Sequence, residues 1–415
     1  MKKYIIVLMT ITVTAIWCFP VTAYEIEGVN IHGFLSQGWI KTSGNNVIKD
    51  SRDGSFQLDE IGINFSKELT DKLRVGIQLF AKDYGEVGNN EIEIDWAYGD
   101  YHFKDWLGFR VGKVKAPHGL YNETRDVDMV RTFIFLPQSI YPEVIRDVAL
   151  AVTGAGVYGS LDLNKAGSLS YQFAYGTHEI DSSERKIQSF LDLSAGNVDV
   201  TENDFIAVDY KYSGSLVWDT PLDGLRLSGT IGDMPFTSQS HAKADFPPIF
   251  SLGDIAEHTF KKFEQKVYSA EYTWNDLVLA AEYMETEKDF QVVIPLDTVP
   301  SLIESEGYYV SLSYRFTDWF AFGTYYAKCE STNKSDLDEP PPDEAGIMNN
   351  PGRLYEKDMT FTARFDINEY MTFKTEWHKL KGTNLLFPFD NPEDANGNRW
   401  TDKWDMFIAK VTFSF

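Results

Sequence analysis

The last twelve residues of the chain, from Trp404 to Phe415, alternate between apolar and polar side chains. With the two-residue period of a β-strand, one face is apolar and the other is polar. The apolar face carries Phe407, Ala409, Val411, Phe413 and Phe415, and the polar face carries Lys410, Thr412 and Ser414. Such a strand must cover a core or face lipid, with its edges paired. The pattern predicts the last strand of either a soluble β-sandwich or a membrane-spanning barrel.

The other end of the chain favours the barrel. Residues 1–23 begin with Lys2 and Lys3, continue in a mostly apolar run and end in Val21-Thr22-Ala23, whose small residues are spaced for cleavage. This pattern is typical of a secretory signal peptide, and the run is too short for a membrane anchor. The sequence therefore predicts a signal peptide, residues 1–23, and one β-barrel domain, residues 24–415.

With an export signal in place, the final strand resembles the terminal strand of bacterial outer-membrane β-barrels, which ends in Phe and serves as the assembly signal. The resemblance implies a barrel in the bacterial cell outer membrane. It also implies outer-membrane lipids and lipopolysaccharide as partners.

The chain is strongly acidic. Its 62 acidic and 38 basic residues give a net charge of −24, which becomes −26 when Lys2 and Lys3 leave with the signal peptide. This excess of negative charge argues against nucleic acid or an anionic lipid surface as a partner of the chain as a whole. Cys18 lies in the signal peptide, so Cys329 is the one cysteine of the mature chain and no intrachain disulfide can form.

The mature chain divides into sixteen alternating segments joined in turn by short and long connections. We predict strands at residues 29–41, 56–67, 72–83, 91–103, 107–115, 147–161, 168–177, 203–217, 224–232, 263–274, 277–287, 305–316, 319–329, 356–366, 370–381 and 403–415. Seven tight turns thus alternate with eight longer loops. This layout predicts an all-β fold, a transmembrane antiparallel β-barrel of about 16 strands.

Tryptophan placement supports the membrane barrel over the soluble sandwich. Trp106, Trp218, Trp274 and Trp319 each lie within a few residues of a short turn. Aromatic residues gather at the membrane–water interface, so these four indicate a belt at the short-turn end. The register after Thr317-Asp318 stays open, because Phe320 and Phe322 compete with Trp319 and Ala321 for the outer face.

The most informative connection follows the fifth strand and runs from Ala116 to Arg146. In sixteen-stranded porins the loop at this position folds into the barrel and narrows the pore, and this chain is similar in strand count and in the place of the loop. The resemblance implies an infolded constriction loop and a homotrimer. A shorter stretch, from Gly112-Lys113 to Pro117-His118-Gly119-Leu120, resembles porins of the phosphate-selective type, with His118 where that family favours Phe.

The same loop supplies a candidate pore constriction. The two-residue period points Arg74, Lys82 and Arg110 into the lumen. Glu123, Asp126 and Asp128 on the loop would form the opposite pole, and Arg125 and Arg131 accompany them. Opposed charges across a narrow opening favour polar solutes. The alternative is that the basic wall residues, with Arg226, Arg315, Arg364 and Lys374 among them, only offset lumenal acids such as Glu60, Glu271, Glu282 and Glu376.

Signals for chemistry are scarce. The sequence has no G-x-S-x-G, H-E-x-x-H or C-x-x-C pattern, and its seven histidines are scattered. We therefore expect no enzyme activity, cofactor or assigned metal residue. The expected function is passive diffusion of small hydrophilic solutes or ions through a water-filled channel that mildly prefers cations.

Three alternatives for the function stay open. An anion- or phosphate-selective porin would use Arg110, Lys113, Lys115, Arg125 and Arg131 as an anion ladder. The second alternative is a non-conducting adhesin or anchor barrel, and the third is a soluble β protein with a binding role.

The last two long loops are acidic. One contains Asp336, Asp338, Glu339, Asp343 and Glu344, and the other contains Asp390, Glu393, Asp394, Asn396 and Asn398. Oxygen ligands this close together can hold Ca²⁺ or Mg²⁺, but the spacing matches a Ca²⁺ loop poorly. A solvated acidic surface is the prediction for both loops.

Overall fold

A computed structural model describes residues 28–85, 87–143, 145–178, 201–242, 245, 251–333, 355–387, 390–391 and 400–415. The predicted signal peptide lies outside these residues. Eighteen strand segments form one sheet, in which each segment is antiparallel to its neighbours. The segments build sixteen strands, since two of the strands are each interrupted once.

The strands are β1 (Asn30–Thr42), β2 (Leu58–Thr70), β3 (Leu73–Tyr84), β4 (Glu93–Lys104), β5 (Leu107–Lys115), β6 (Ala151–Asp162), β7 (Ser168–Thr177), β8 (Thr201–Val208 and Lys211–Asp219), β9 (Leu225–Asp233 and Phe236–Ala242), β10 (Ile255–Trp274), β11 (Leu277–Ile294), β12 (Asp297–Thr317), β13 (Phe320–Asn333), β14 (Tyr355–Asn368), β15 (Met371–Gly382) and β16 (Lys403–Ser414). The described helical elements are the α-helix α1 (Arg146–Leu150) and two 3₁₀ turns, Asp128–Val130 and Asn164–Ala166, and Asp390 is also in 3₁₀ conformation. None of these is long and apolar enough to span a membrane.

The interruptions in β8 and β9 lie side by side. The break in β9 contains Pro235, which has no N–H to donate to the ladder. The N–H of Asp209 in β8 instead donates to the Pro235 carbonyl at 3.0 Å. Regular pairing resumes beyond the break, with Phe236 opposite Val208. Each interrupted strand therefore continues as one strand of the wall.

The sheet closes on itself because β1 pairs with β16. Phe34 lies opposite Ser414 and Thr42 lies opposite Met406. At the end of the chain, Gly33 and Phe415 exchange two backbone hydrogen bonds of 3.0 Å. A closed ring has no free sheet edge. The predicted antiparallel barrel of sixteen strands is confirmed.

The two faces of the wall differ as the terminal strand predicts. On β16, Phe407 and Phe413 are 42% and 43% exposed, whereas Lys410 between them is 3% exposed. Apolar side chains therefore cover the outer face, and Lys410 and Thr412 face the lumen. Toward the long-loop end of β16 the lumenal face is apolar, since Trp404, Met406 and Ile408 pack there with residues of the β5–β6 connection.

The structure also shows which residues of β13 face outward. Ala321 is buried on the lumenal side, so Phe320 and Phe322 lie on the outer face. A bulge between Arg315 and Thr317 shifts the pairing of β12 with β13.

All seven tight turns lie where the sequence predicts them. The aromatic side chains beside them are exposed, as an outer belt requires, and include Trp106, Trp218, Trp274 and Trp319. The short turns therefore mark one rim of the barrel and the long loops mark the other.

Three strands are longer than the sequence indicates. β10, β11 and β12 contain 20, 18 and 21 residues, about twice the number that crosses a membrane. The predicted long loop between residues 287 and 305 is instead strand, with a turn at Pro295-Leu296. The apolar run Val292-Val293-Ile294 before that proline hides the two-residue period, which explains why the pattern missed the strand.

Candidate functional site: a loop across the lumen

The connection from β5 to β6, residues 116–150, is called L3 below. It turns into the barrel and contacts lumenal side chains on many strands. On the side of β10 to β12, the Tyr121 hydroxyl donates to Glu271 at 2.8 Å, and the Leu120 N–H donates to Glu282 at 2.9 Å. The Tyr141 hydroxyl donates to Glu282 at 2.6 Å. These bonds fix the first part of L3 to one side of the wall.

On the other side of the ring, Asp128 joins L3 to β15 and β16. Its carboxylate lies 3.1 Å from the Lys374 ammonium and 3.4 Å from the Lys410 ammonium. It also accepts a 2.8 Å hydrogen bond from Thr412. The side chains of Asp128, Lys374 and Lys410 are no more than 3% exposed. Buried opposite charges held this closely fix L3 at one point of the wall.

A carboxylate on β15 fixes the following residues of L3. Glu376 accepts hydrogen bonds from the backbone N–H groups of Ile134 and Phe135, at 2.9 and 3.1 Å. His378 lies between Glu376 and Asp358, with ring nitrogens 3.0 and 2.9 Å from their carboxylates. The two acids and the histidine hold one another in place, so the carboxylate that accepts the hydrogen bonds from L3 is itself held by its neighbours.

The end of L3 is tied to β3, β4 and β5. Arg146 makes two hydrogen bonds to Asp95 on β4, at 2.8 and 3.0 Å. Lys82 on β3 lies 3.1 Å from Asp147. Lys115, at the end of β5, lies 2.7 Å from Asp126. L3 is therefore anchored on several sides of the ring, so it crosses the lumen rather than hanging from one strand.

Apolar contacts reinforce the anchoring toward the long-loop rim. Ile134 and Phe135 of L3 pack with Ile48 from the β1–β2 loop and with Leu386 from the β15–β16 loop. A second cluster joins Phe133, Leu136 and Ile140 to lumenal residues of β10–β13. Burying these side chains excludes water from much of the space around L3. The open section of the lumen must therefore lie beside L3 rather than through it.

The predicted constriction residues fall into three groups: those that join L3 to the wall, those that lie within L3, and those that remain in contact with solvent. Asp126, Asp128 and Lys82 join L3 to the wall in direct ion pairs, with no aperture between the partners. Arg125 points into L3 itself, where its guanidinium lies 3.1 Å from Glu143 and is 1% exposed. Arg131 donates to the Arg125 carbonyl at 2.6 Å and is also within L3.

Arg110, Glu123 and Arg74 keep contact with solvent. Arg110 lies 3.2 Å from Asp100 and 3.6 Å from Glu123, and its guanidinium rests 4.5 Å from the Tyr158 ring centroid. Glu123 is 43% exposed. Arg74 is exposed two residues from the β2–β3 turn, well away from L3. Of the eight predicted residues, Arg110 and Glu123 alone form a partly exposed pair between wall and loop.

Sequence reasoning missed several anchors. Lys410, Asp95, Arg146 and Asp147 carry no motif, and their partners lie up to hundreds of positions away in the chain. The one available signal was the two-residue alternation along each strand, which assigns charged residues to the lumenal face. It correctly placed Lys374, Glu376 and Glu282 there. Of the acidic loop residues, Asp390 alone is described; the others lie outside the described residues. No group of metal-binding side chains is present in the part of the chain that the structure describes.

Three buried carboxylates of L3, those of Asp128, Glu143 and Asp147, have pKa values below their usual range. Burial by itself raises the pKa of Asp128, but Lys374, Lys410 and Arg131 outweigh it and hold that pKa below its usual range. Burial likewise opposes ionisation of Glu143 and Asp147, yet nearby Arg and Lys groups lower each pKa to about 2. All three acids are therefore charged throughout the physiological pH range.

These lowered pKa values predict an acid limit for the anchoring of L3. The pKa values of Glu143 and Asp147 are lower in the folded protein than in the unfolded chain, so their ionised forms stabilise the fold. This stabilisation is complete above the usual carboxylate pKa and is lost as the pH falls toward 2. We expect a thermal midpoint that is level from pH 8 to 5 and falls below about pH 4. Thermal melts of wild type and Glu143→Gln test this, since the variant should lose less stability over the acid range. Equal slopes for the two proteins would contradict it.

Gly307 on β12 allows L3 to approach the wall. A Cβ added there would lie 2.3 Å from the Ser139 carbonyl oxygen of L3. Gly307→Ala should therefore push that part of L3 inward and lower the thermal midpoint. Gly99→Ala on β4 is the matched control, because a Cβ at Gly99 meets no atom within 4 Å. Equal melting of the two variants would show that the contact between Gly307 and Ser139 adapts freely.

No protein-family model matches the chain, and no curated protein matches its sequence. Solved structures do match. The outer membrane channel DcaP of Acinetobacter baumannii aligns with a TM-score of 0.57 at 11% identity, over 95% of this chain and 100% of that one. OmpT of Vibrio cholerae aligns with a TM-score of 0.55 at 10% identity, over 95% and 100%. The anion-selective porin from Comamonas acidovorans gives 0.54 at 11% identity, over 93% and 99%. The resemblance to sixteen-stranded bacterial porins is confirmed at the level of the fold.

Proposed function

We propose that the protein is an outer-membrane channel of the porin type, through which small hydrophilic solutes or ions diffuse passively. The observation that carries the proposal is the closed ring of sixteen strands with apolar side chains outside, polar side chains inside and L3 tied across the lumen. A ring of this size is too wide for wall side chains alone to fill, so an aqueous path beside L3 is expected.

The space next to L3 suits hydrophilic solutes. A cavity of about 260 Å³ lies between L3 and the wall of β10–β12. Its lining includes the polar and charged residues Thr124, Thr132, Ser311, Arg131 and Glu271 and the apolar residues Val130, Phe133, Leu136 and Pro137. Hydroxyl and charged groups replace the hydration of a polar solute, whereas they offer little to an apolar one.

Homotrimers are part of the same proposal. A structure of OmpT of Vibrio cholerae described as its trimer form aligns with this chain at a TM-score of 0.50 and 12% identity, over 93% of this chain and 99% of that one. A trimer would leave part of each outer wall in contact with lipid and lipopolysaccharide. Light scattering of the purified protein in detergent measures the oligomeric state.

Single-channel recording on purified protein in planar bilayers tests the proposal. Discrete conductance steps that grow in proportion to salt concentration are the expected result for a water-filled path. A folded barrel that gives no steps would refute the channel. It would instead support a non-conducting anchor, the reading favoured by the apolar cluster that L3 forms with the neighbouring loops.

Mild cation selectivity is the expected ion preference. The acidic chain attracts cations to the mouths, while four of the five basic groups named for an anion ladder already pair with acids: Arg110 with Glu123, Lys115 with Asp126, Arg125 with Glu143 and Arg131 with Asp128. Charges beyond about 8 to 10 Å are screened at physiological salt, so the preference should be weak. Reversal potentials across a KCl gradient measure it. A strong anion preference would favour the phosphate-selective alternative.

A further inference from the structure

We propose that a row of four lysines on the outer wall binds the phosphate groups of lipopolysaccharide; this inference rests on the proposed place of the barrel in the outer membrane. The row crosses four neighbouring strands, β13 to β16. Lys328 lies directly opposite Lys357, Lys357 opposite Lys381, and Lys381 opposite Lys403. Because adjacent strands are about 4.8 Å apart, the four residues span roughly 15 Å of the wall.

The four side chains point away from the lumen. Their neighbours along each strand, such as Glu356, Leu380 and Trp404, are buried on the lumenal side. Lys381 and Lys403 are exposed, and Lys357 is half-buried. Like charges directly opposite each other on adjacent strands are destabilising. An anionic partner on the outer surface would relieve this repulsion.

The described part of the chain supplies little negative charge to the row. Glu330 pairs with Lys328, and none of the described carboxylates lies within ion-pair distance of Lys357, Lys381 or Lys403. The Tyr355 ring lies between two of these lysines, 5.8 Å from the Lys357 ammonium and 5.7 Å from that of Lys381.

Two more acids lie near the row. Asp405 stands opposite Lys379, two residues below the row. Asp402 accepts a hydrogen bond from the Tyr355 hydroxyl at 2.9 Å. These two carboxylates offset part of the positive charge nearby, but among the described residues neither of them forms an ion pair with Lys357, Lys381 or Lys403.

The height of the row identifies the partner. All four lysines lie near the long-loop end of their strands, the end proposed to face the cell exterior. Four residues closer to the membrane, Phe361, Trp377 and Phe407 form a second row on the same outer face. Aromatic rows mark the lipid–water interface, so the lysines lie roughly 13 Å beyond it along the strands, among lipid headgroups.

Lysine ammonium groups bind phosphate as compact point charges. Lysines on adjacent strands are close enough to flank one phosphate, and a row of four has room for more than one. In the outer leaflet, lipopolysaccharide is the lipid that carries several phosphates on one headgroup. The row therefore matches it in charge, in spacing and in depth.

Binding of lipid A to the purified full-length protein in a neutral detergent tests the proposal. The double variant Lys357→Gln with Lys381→Gln removes the centre of the row. The matched control is Lys262→Gln with Lys266→Gln on β10, which removes two outer-face lysines that already pair with Glu264. We expect the first variant to bind lipid A at least about tenfold more weakly, and the control to bind within about twofold of wild type.

Further readouts separate the possible partners. Dephosphorylated lipid A should bind the wild type as weakly as phosphorylated lipid A binds the row variant. If millimolar inorganic phosphate displaces lipid A completely, the row binds free phosphate, and the proposal is overturned. Dissociation of an oligomer by the row variant, with lipid binding unchanged, would assign the row to a contact between copies and also overturn it.

The row variant must also be shown to fold. Relief of repulsion predicts that its thermal midpoint in lipid-free detergent equals or exceeds that of the wild type. A lower midpoint would show that acids of the chain itself neutralise the row, which would refute lipid binding. Single-channel conductance of this variant should stay at the wild-type value, so failure of the lipid site is distinguishable from failure of the channel.

Discussion

Replacing residues 121–130 of L3 by an equal number of glycine and serine residues should at least about double the single-channel conductance, since a released loop no longer narrows the aqueous path. The replacement removes the Tyr121 bond to Glu271 and the pairing of Asp126 with Lys115. It also removes Asp128, which ties L3 to β15 and β16. The barrel should still assemble, because the strand ladder that closes it does not involve these residues.

The control for this replacement is Tyr121→Phe. It removes one hydroxyl and its 2.8 Å hydrogen bond to Glu271 while leaving the other anchors in place. Losing one of many hydrogen bonds costs about 1 kcal/mol and should leave the conductance near the wild-type value. If the full replacement also conducts like the wild type, L3 does not limit the channel, and the proposed constriction is wrong.

The barrel itself could be predicted from sequence because its rules are local. Each of the sixteen strands overlaps a predicted one, and the tight turns lie where Asp, Asn, Gly and Pro indicate them. Alternation also assigned the lumenal side correctly for Lys374 and Glu376, which are buried inside the ring. Local signals fail where the period is hidden, as at Val292-Val293-Ile294, the last residues of β11, which extends beyond its predicted end at residue 287.

The arrangement of L3 could not be predicted, because it depends on contacts between distant parts of the chain. Asp128 and Lys410 are separated by 282 positions yet lie 3.4 Å apart. Parity along a strand tells which residues face the lumen, but it does not tell which loop residue reaches them. For the same reason, the sequence placed Arg125 at the aperture, whereas its guanidinium lies inside L3 against Glu143.

Asp128→Ala should be the most destabilising single substitution in L3. The substitution removes the carboxylate that pairs with the buried Lys374 ammonium. The ammonium then keeps only two backbone partners, the carbonyl oxygens of residue 128 at 2.7 Å and of Phe133 at 3.4 Å. Lys410 keeps its pairing with Glu60 at 2.6 Å, so most of the loss falls on Lys374. Removing one partner of a buried ion pair costs about 3–5 kcal/mol. Equilibrium unfolding in denaturant should show this loss, and conductance should rise as residues around position 128 move away from the wall, while Glu376 still holds Ile134 and Phe135.

Glu123→Gln is the matched control, because Glu123 lies on the same loop but is 43% exposed and 3.6 Å from Arg110. An exposed pair contributes at most about 1 kcal/mol. A second variant, Asp128→Ala combined with Lys374→Met, removes both buried charges and should recover much of the lost stability, since an apolar side chain replaces the unpaired ammonium. If Asp128→Ala costs no more than Glu123→Gln, or the double variant is no more stable than the single one, the pair does not anchor L3. In that case the apolar contacts of Ile134 and Phe135 hold the loop, and its position should be insensitive to the charge on Asp128.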